Sequence, residues 1–427
     1  MRIVHLSTNE SAGGAARAAH GLHASLVAEG ADSRMLVLER QSEVGRVAMA
    51  EVGDAERRAW AVVEERWIAR ERTRVSNTLF STGAPGASPA RHPLVCEADV
   101  INLHWVPRLA SARDIGELLA LGKPVVWTLH DEWAYTGGCH YASGCERWRT
   151  ACTACPQLAR DPHGLVEAIF ASKRIAYARG ALTIVAPSRW LARRAGESAL
   201  LAGCRVECIP YGVDLATFDP MLRDAGCARL GVGPEDVVVL FSADAASERR
   251  KGFAELSRAL DVSARSLPSA VSARLRFAVL GEIAGIALPV GAIAPGRIMD
   301  RRELASIVAA SDLYVLPSLE DNLPNGILEA LACGTPCVAF DAGGAPDMLA
   351  DSPGSELAPV GDTEALGASI ARAIGNVGLL RSLRAAIRAD AERRYAPRLQ
   401  ARGYLALYDE LLRAARSGTT PAGHAAP

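Results

Sequence analysis

Asp312–Gly334 reads DLYVLPSLEDNLPNGILEALACG, and its three parts decide the fold. DLYVLPS is an apolar run of strand length, the middle is rich in carboxylate, Asn and Pro, and GILEALACG has helical apolar spacing. Pro324 suits the first turn of a helix, where its missing N–H costs little, and Gly334 suits the residue just past the helix end. A strand, a tight loop and a helix N-terminus in series leave free backbone N–H groups and the positive end of a dipole at one sheet edge. The segment therefore predicts a βα step with an anion site in the loop Glu320, Asp321, Asn322, Leu323, Pro324, Asn325 and Gly326, and with Glu329 on the helix behind it.

The same alternation runs outward in both directions. RIVHLS, SRMLVLE, ADVINLHW, PVVWTLHD, LTIVAPS and RVECIPYG are strand-length apolar runs separated by helix-length segments. The pattern restarts at DVVVLFSAD and continues through LRFAVLGE, GRIMD, DLYVLPS and PCVAFDAGG. Strands apolar on both faces and separated by helices indicate parallel sheets covered by helices, an α/β class. At 427 residues the chain also exceeds the roughly 250 to 300 at which one core stops growing. Two doubly wound units follow, with a polar linker expected at Tyr211–Gly231.

Charge is balanced, 47 Lys and Arg against 48 Asp and Glu, which argues against a nucleic-acid surface. MRIVHLSTN lacks the pattern of a signal peptide, and no run of about 18 apolar residues is present, so a cytoplasmic protein is expected. Ala55–Asn77 reads as one helix with Trp60, Val63, Trp67 and Ile68 on a common face. That face either packs on its own domain or makes a peripheral membrane or lipid-linked acceptor contact.

Arg249, Arg250 and Lys251 sit in a loop between a strand and a helix, where cations would complete a diphosphate cage. Near the N-terminus, Gly13 and Gly14 follow the first strand and precede a helix carrying Arg17; they allow close approach to phosphate or sugar, or a plain tight turn. His130 and Asp131 close the strand PVVWTL at the edge where open α/β sheets bind ligands. Cys139, Cys145, Cys152 and Cys155 follow, ending in Cys-x-x-Cys. That spacing fits a closed structural zinc site, with packed reduced thiols or a disulfide as alternatives. The other six cysteines read as small core or loop residues.

With these residues assembled, the chain resembles the retaining glycosyltransferases of family 4, and within them enzymes of the colanic-acid and exopolysaccharide type. The likeness is carried by the Gly-Gly loop, HDEWAYTGGCHY, PSRWL, YGVDLATF, RRKGF and above all DLYVLPSLEDNLPNGILEALACGTPCVAFDAGG. It implies a GT-B fold, two Rossmann-like domains facing across a cleft. Residues 1–213 would be the acceptor side, residues 214–398 would hold the nucleotide-sugar, a helix over 399–416 would cross back, and 417–427 would be a disordered tail. It also implies that Glu329 grips the donor ribose, Lys251 the diphosphate, and His130 the donor sugar, with Gly13, Gly14, Arg17 and Asp131 toward phosphate and acceptor.

Three positions depart from the family. The carboxylate separated from Glu329 by seven residues is Asp321 rather than Glu, with Glu320 beside it; Ala245 stands where an arginine is common; Tyr211 replaces an asparagine. The expected reaction moves a sugar from a nucleotide-diphosphate-sugar donor to a glycan or lipid-linked acceptor in cell-surface polysaccharide synthesis. Lys251, an arginine and the helix N-terminus would stabilise the leaving diphosphate, so no cofactor is expected to be required for catalysis. The competing readings are a nucleotide-sugar epimerase or hydrolase of the same fold, and a non-catalytic subunit that binds sugar nucleotides.

Overall fold

The computed structural model describes residues 1–42, 45–83, 86–161, 163–245, 247–282, 288 and 291–417, without the side chains of Trp60 and residues 243–245. The chain divides into two compact units, Met1–Gly212 with Arg398–Pro427, and Val213–Pro397.

The sheet of the first unit contains β1 (Arg2–Asn9), β2 (Asp32–Glu39), β3 (Val47–Met49), β4 (Val100–Leu103), β5 (Val125–Thr128), β6 (Leu182–Ala186) and β7 (Arg205–Cys208). All are parallel, in the order β3-β2-β1-β4-β5-β6-β7. Winding reverses between β1 and β4, and ligands of open α/β sheets collect outside the carboxyl ends of strands at such a switch. Successive strand residues alternate between two cores. Ile3, Val100, Val126 and Val185 pack with Tyr404, Leu407, Tyr408 and Leu411 of the helix Pro397–Ser417. Val4, Ile101, Val125, Trp127 and Ile184 belong to the larger core on the other face. Asn102 Nδ2 donates to Tyr408 Oη at 2.7 Å, and Thr128 Oγ1 lies 2.9 Å from Tyr404 Oη, so that helix is also keyed to its sheet by polar bonds.

The second unit repeats the plan with β8 (Val237–Ala245), β9 (Leu275–Glu282), β10 (Ile293–Gly296), β11 (Leu313–Leu316), β12 (Cys337–Phe340) and β13 (Glu356–Ala358). They are parallel in the order β10-β9-β8-β11-β12-β13, which puts the second switch between β8 and β11.

Several expectations change. GRIMD is not a strand beyond its first residue: β10 ends at Gly296, whose φ of 82° turns the chain out of the extended region. Tyr211–Gly231 is not a free linker, because Val213 and Phe218 are buried and Arg223–Leu230 is a helix. The helix expected over Ala55–Asn77 stops at Glu71, with a π-helical stretch at Val62–Ile68 that breaks the 3.6-residue stripe. Ile68 is buried and Trp67 packs against the first unit's own core; the placement of the Trp60 side chain lies outside the described residues. The tail expected to be disordered lies outside them from residue 418 onward. Among the described residues, no helix is long and apolar enough to cross a membrane.

Candidate functional site

In the second unit, the loops after β8 and β11 are stitched together by backbone before any side chain acts. Arg249–Lys251 forms a single 3-10 turn, Leu319 N donates to Arg250 O at 2.7 Å, and Gly252 then opens the helix Phe253–Ser266. Gly252 adopts φ 69°, and a Cβ there would lie 1.8 Å from Pro317 O, so both the conformation and the close approach demand glycine. Gly343 plays the same part on the opposite flank, where a Cβ would lie 1.6 Å from Asp321 O.

Asp321 is the hub of this edge. Its Oδ2 accepts from Lys251 Nζ at 2.7 Å and from Arg250 Nη1 at 3.3 Å, while Oδ1 accepts from the Asn322 N–H at 3.0 Å. Burial pushes the Asp321 carboxyl up, but Lys251, Arg250 and the hydrogen bonds outweigh it and hold the group below the usual carboxylate range. Asp321 thus orients the two cations. Glu320 is half-exposed, and its backbone carbonyl accepts from Arg250 Nη1 at 3.3 Å. Arg249 is exposed, whereas Leu323 and Pro324 are buried beneath the loop.

The helix Asn325–Ala332 begins at Pro324 without a side-chain cap. Ile327, Leu328, Ala330, Leu331 and Ala332 are buried, so Asn325, Gly326 and Glu329 form the accessible stripe. The N-terminus of this helix, which has no side-chain cap, the Lys251–Arg250 pair and the Glu329 carboxylate therefore belong to the loops and helix at one sheet edge. That set can accept an anion and a hydroxyl-bearing group beside it.

The first unit's edge is chemically different. β1, β4 and β5 are adjacent, and His5, His104 and His130 step across them. His5 Nδ1 lies 2.9 Å from His104 Nε2, His104 Nδ1 lies 3.0 Å from His130 Nε2, and His130 Nδ1 lies 2.6 Å from Tyr211 Oη. All four side chains are buried. Burial, reinforced by neighbouring imidazoles, pulls His5 and His104 well below the usual histidine range, and burial brings His130 to about 4 despite the opposing charge of Asp131. The rings are neutral at physiological pH.

The acids beside His130 anchor the loop. Asp131 Oδ1 accepts from the Trp133 N–H at 2.9 Å, and Oδ2 from Trp105 Nε1 at 3.0 Å and His140 Nδ1 at 2.6 Å. Glu132 is fully buried and accepts from Arg194, Tyr135 and the Ala142 N–H. Lys173 reaches the same loop from the helix Leu165–Tyr177, donating to the carbonyls of Trp133 and Thr136 with its ammonium 3.7 Å from the Trp133 ring centroid. Burial lowers its pKa to about 7.

Gly13 precedes the helix Gly14–Ala28 at φ 88°, and its carbonyl accepts from the Arg17 N–H at 3.0 Å. The loop after β1 thus feeds a helix N-terminus at the switch point, as the Gly-Gly pair predicts. The four clustered cysteines line one apolar pocket with Phe80 and Trp148. Among the described residues no group of three or more His, Cys, Asp or Glu side chains is arranged to hold a metal ion. Burial pushes Cys139 well up and Cys152 to about 11, which keeps them as thiols.

Sequence reasoning missed His5, His104 and the hydroxyl of Tyr211. A signal was present for His104, which directly follows β4 just as His130 closely follows β5. Nothing in the sequence marks His5, whose partner is 99 positions away.

Residues 236–376, most of the second unit, match the family of glycosyl transferases group 1. A protein named as a colanic acid biosynthesis glycosyl transferase, WcaC of Escherichia coli, is 27% identical over 275 residues, covering 62% of this chain and 64% of its own length. The D-inositol 3-phosphate glycosyltransferase of Segniliparus rotundus is 32% identical over 222 residues, covering 49% of this chain and 48% of its own length. The matched part thus spans less than two thirds of these relatives. Among solved structures, sucrose-phosphate synthase from Thermosynechococcus elongatus superposes with a TM-score of 0.67 at 17% identity, covering 97% of this chain and 100% of that one. Anabaena HepE in complex with UDP-glucose gives 0.62 at 16% identity, covering 96% and 100%. At these identities the likeness speaks to fold, and the fold is GT-B, built from two Rossmann-like units.

Proposed function

We propose that the chain is a retaining glycosyltransferase. It takes a sugar from a nucleotide-diphosphate-sugar and transfers it to a glycan or lipid-linked acceptor of cell-surface polysaccharide. The observation that carries this reading is the second unit's edge, where Lys251 and Arg250 are held by Asp321 in the loops that include the uncapped N-terminus of Asn325–Ala332. Charge that develops on a leaving diphosphate meets preorganised donors there, which is the dominant way proteins lower such barriers. Glu329, one turn into the helix, accepts from a ribose hydroxyl. His130 serves the sugar. The anomeric carbon–oxygen bond to the diphosphate breaks while the acceptor oxygen bonds on the same face, and the acceptor's proton leaves with the diphosphate oxygen. The relation to WcaC and the UDP-glucose complex of HepE support the class of donor and acceptor.

The test is a thermal-shift screen over nucleotide-sugars followed by product analysis. A donor that binds the folded chain raises its melting temperature according to occupancy, and nucleoside diphosphate should then appear only when acceptor is present. Diphosphate release without acceptor would indicate a hydrolase or epimerase. Binding without turnover would indicate a sugar-nucleotide-binding subunit, and an inverted linkage would refute retention.

A further inference from the structure

The imidazole chain imposes a rule that no single histidine carries. A neutral ring has one N–H and one bare nitrogen, so each nitrogen–nitrogen approach in His5–His104–His130 needs one hydrogen and no more. Two patterns satisfy both approaches. Either every ring bears its hydrogen on Nδ1, directed toward Tyr211, or every ring bears it on Nε2, directed toward His5. The three tautomers are therefore coupled, and the environment at one end sets the state at the other.

The two ends are not equivalent. His5 is fully buried, and among the described residues its Nε2 has no hydrogen-bond partner. The Nε2–H pattern would leave a buried donor unpaired there, whereas the Nδ1–H pattern leaves only a bare lone pair. Orphaned buried N–H groups are the rarer and costlier of the two. At the far end the 2.6 Å approach of His130 Nδ1 to Tyr211 Oη is served by either direction, because a phenol both donates and accepts. The buried end decides. Nearby charge leaves the choice unaltered: His23, which bonds Ser33 at 2.8 Å, lies by His5 and His104, and Asp131 by His130 is itself bonded by His140, Trp105 and Trp133.

We propose that His5 and His104 are positioning residues that hold His130 in its Nδ1–H tautomer, as a hydrogen-bond donor to Tyr211 Oη in this structure and to an oxygen of the donor sugar where the sugar takes the phenol's place, and not as a proton acceptor. This deepens the proposed function and rests on it for the identity of the oxygen. A bare Nδ1 able to accept a proton exists only if all three rings are inverted, which places an unpaired N–H on His5, and protonating Nε2 instead would displace the bond from His104 and charge a buried ring. The chain thereby gives His130 a fixed polarity, one that an isolated imidazole exchanging with water lacks.

Long-range proton–nitrogen correlation spectra of the whole chain, labelled with nitrogen-15 at histidine, read the tautomers directly at neutral pH. The expected result is Nδ1–H for His5, His104 and His130, and Nε2–H at His130 overturns the proposal. Two variants separate positioning from packing. His104→Asn can still donate an amide hydrogen toward His130 Nε2 and should keep the Nδ1–H signature, whereas His104→Leu should yield mixed tautomers at His130. In sugar transfer His104→Leu should lose about tenfold in kcat, the worth of roughly one hydrogen bond, with most of the loss recovered in His104→Asn. An unmixed Nδ1–H signal in His104→Leu refutes the positioning role, and should that variant fail to fold, the wild-type spectrum still decides. Nδ1–H tautomers in a protein that transfers no sugar would refute the proposed function while leaving the tautomer assignment supported.

Discussion

At the switch point of the first sheet, β1, β4 and β5 deliver three uncharged imidazoles joined in series; at that of the second, the loops after β8 and β11 deliver two cations that share Asp321, with Arg250 also paired to Glu248. The strand orders have the same form, β3-β2-β1-β4 against β10-β9-β8-β11, so topology does not explain the contrast. Burial explains much of it. His5 and His104 lie deep enough that a charge would be lost to desolvation, whereas Lys251 and Arg250 keep 19% and 14% of their side chains exposed and are compensated by Asp321. The first edge is suited to directing hydrogen bonds at neutral hydroxyls, and the second to holding an anion.

The comparison breaks most visibly if the second edge's charge is removed. Lys251→Ala is expected to lower kcat by about 10²- to 10³-fold, the usual scale for one preorganised donor, with the fold retained by circular dichroism. Unchanged turnover would remove Lys251 from the site. The next largest effect falls on the first edge and is read by pH. Burial holds His130 and His23 at about 4 against an ordinary value of 6.5, so on acidification the unfolded chain binds protons first. Their contribution is intact above pH 6.5 and is lost as pH falls toward 4, at about 3 kcal/mol for each histidine. Urea melts at stepped pH should show the decline, and a flat profile over that window would contradict neutral rings.

Asp321→Asn sharpens the contrast, because stability and binding should move in opposite directions. Removing the Asp321 charge from Lys251 and from Arg250, which keeps its pair with Glu248, should cost about 2 kcal/mol, less than for a fully enclosed pair. With one negative charge fewer at this edge, a nucleoside diphosphate should bind several-fold more tightly by calorimetry. Weaker binding would place Asp321 on the ligand after all. The smallest change is Tyr211→Phe, which removes only the phenol hydroxyl from His130 Nδ1 and should cost about 1 kcal/mol in a urea melt.

How much was legible follows from the range of each interaction. The βα step at Asp312–Gly334 was readable because strand, loop and helix signals are local: the structure has the strand at Leu313–Leu316, the helix at Asn325–Ala332 and Gly334 at φ 69° just beyond. GRIMD and the long helix at Ala55–Asn77 misled because a positive-φ glycine and a π-helical stretch change the period without changing the hydrophobic pattern. The carboxylates could not be sorted in advance. Glu320, Asp321, Asp131 and Glu132 look alike in sequence, and only their partners distinguish an orienting carboxylate from a loop anchor.

The sequence by itself determined two parallel-sheet units, and it marked the cations, glycines and Glu329 of the edge proposed to hold the donor diphosphate. These depend on periodicity and turn chemistry spread over a few residues. Tertiary structure alone decided that Asp321 faces Lys251 rather than solvent, that the four clustered cysteines line one apolar pocket, and that His5, His104, His130 and Tyr211 form one hydrogen-bonded series. Each of those depends on which distant strand or loop lies alongside, and on how completely water is excluded there. Neither is written in any local stretch of chain.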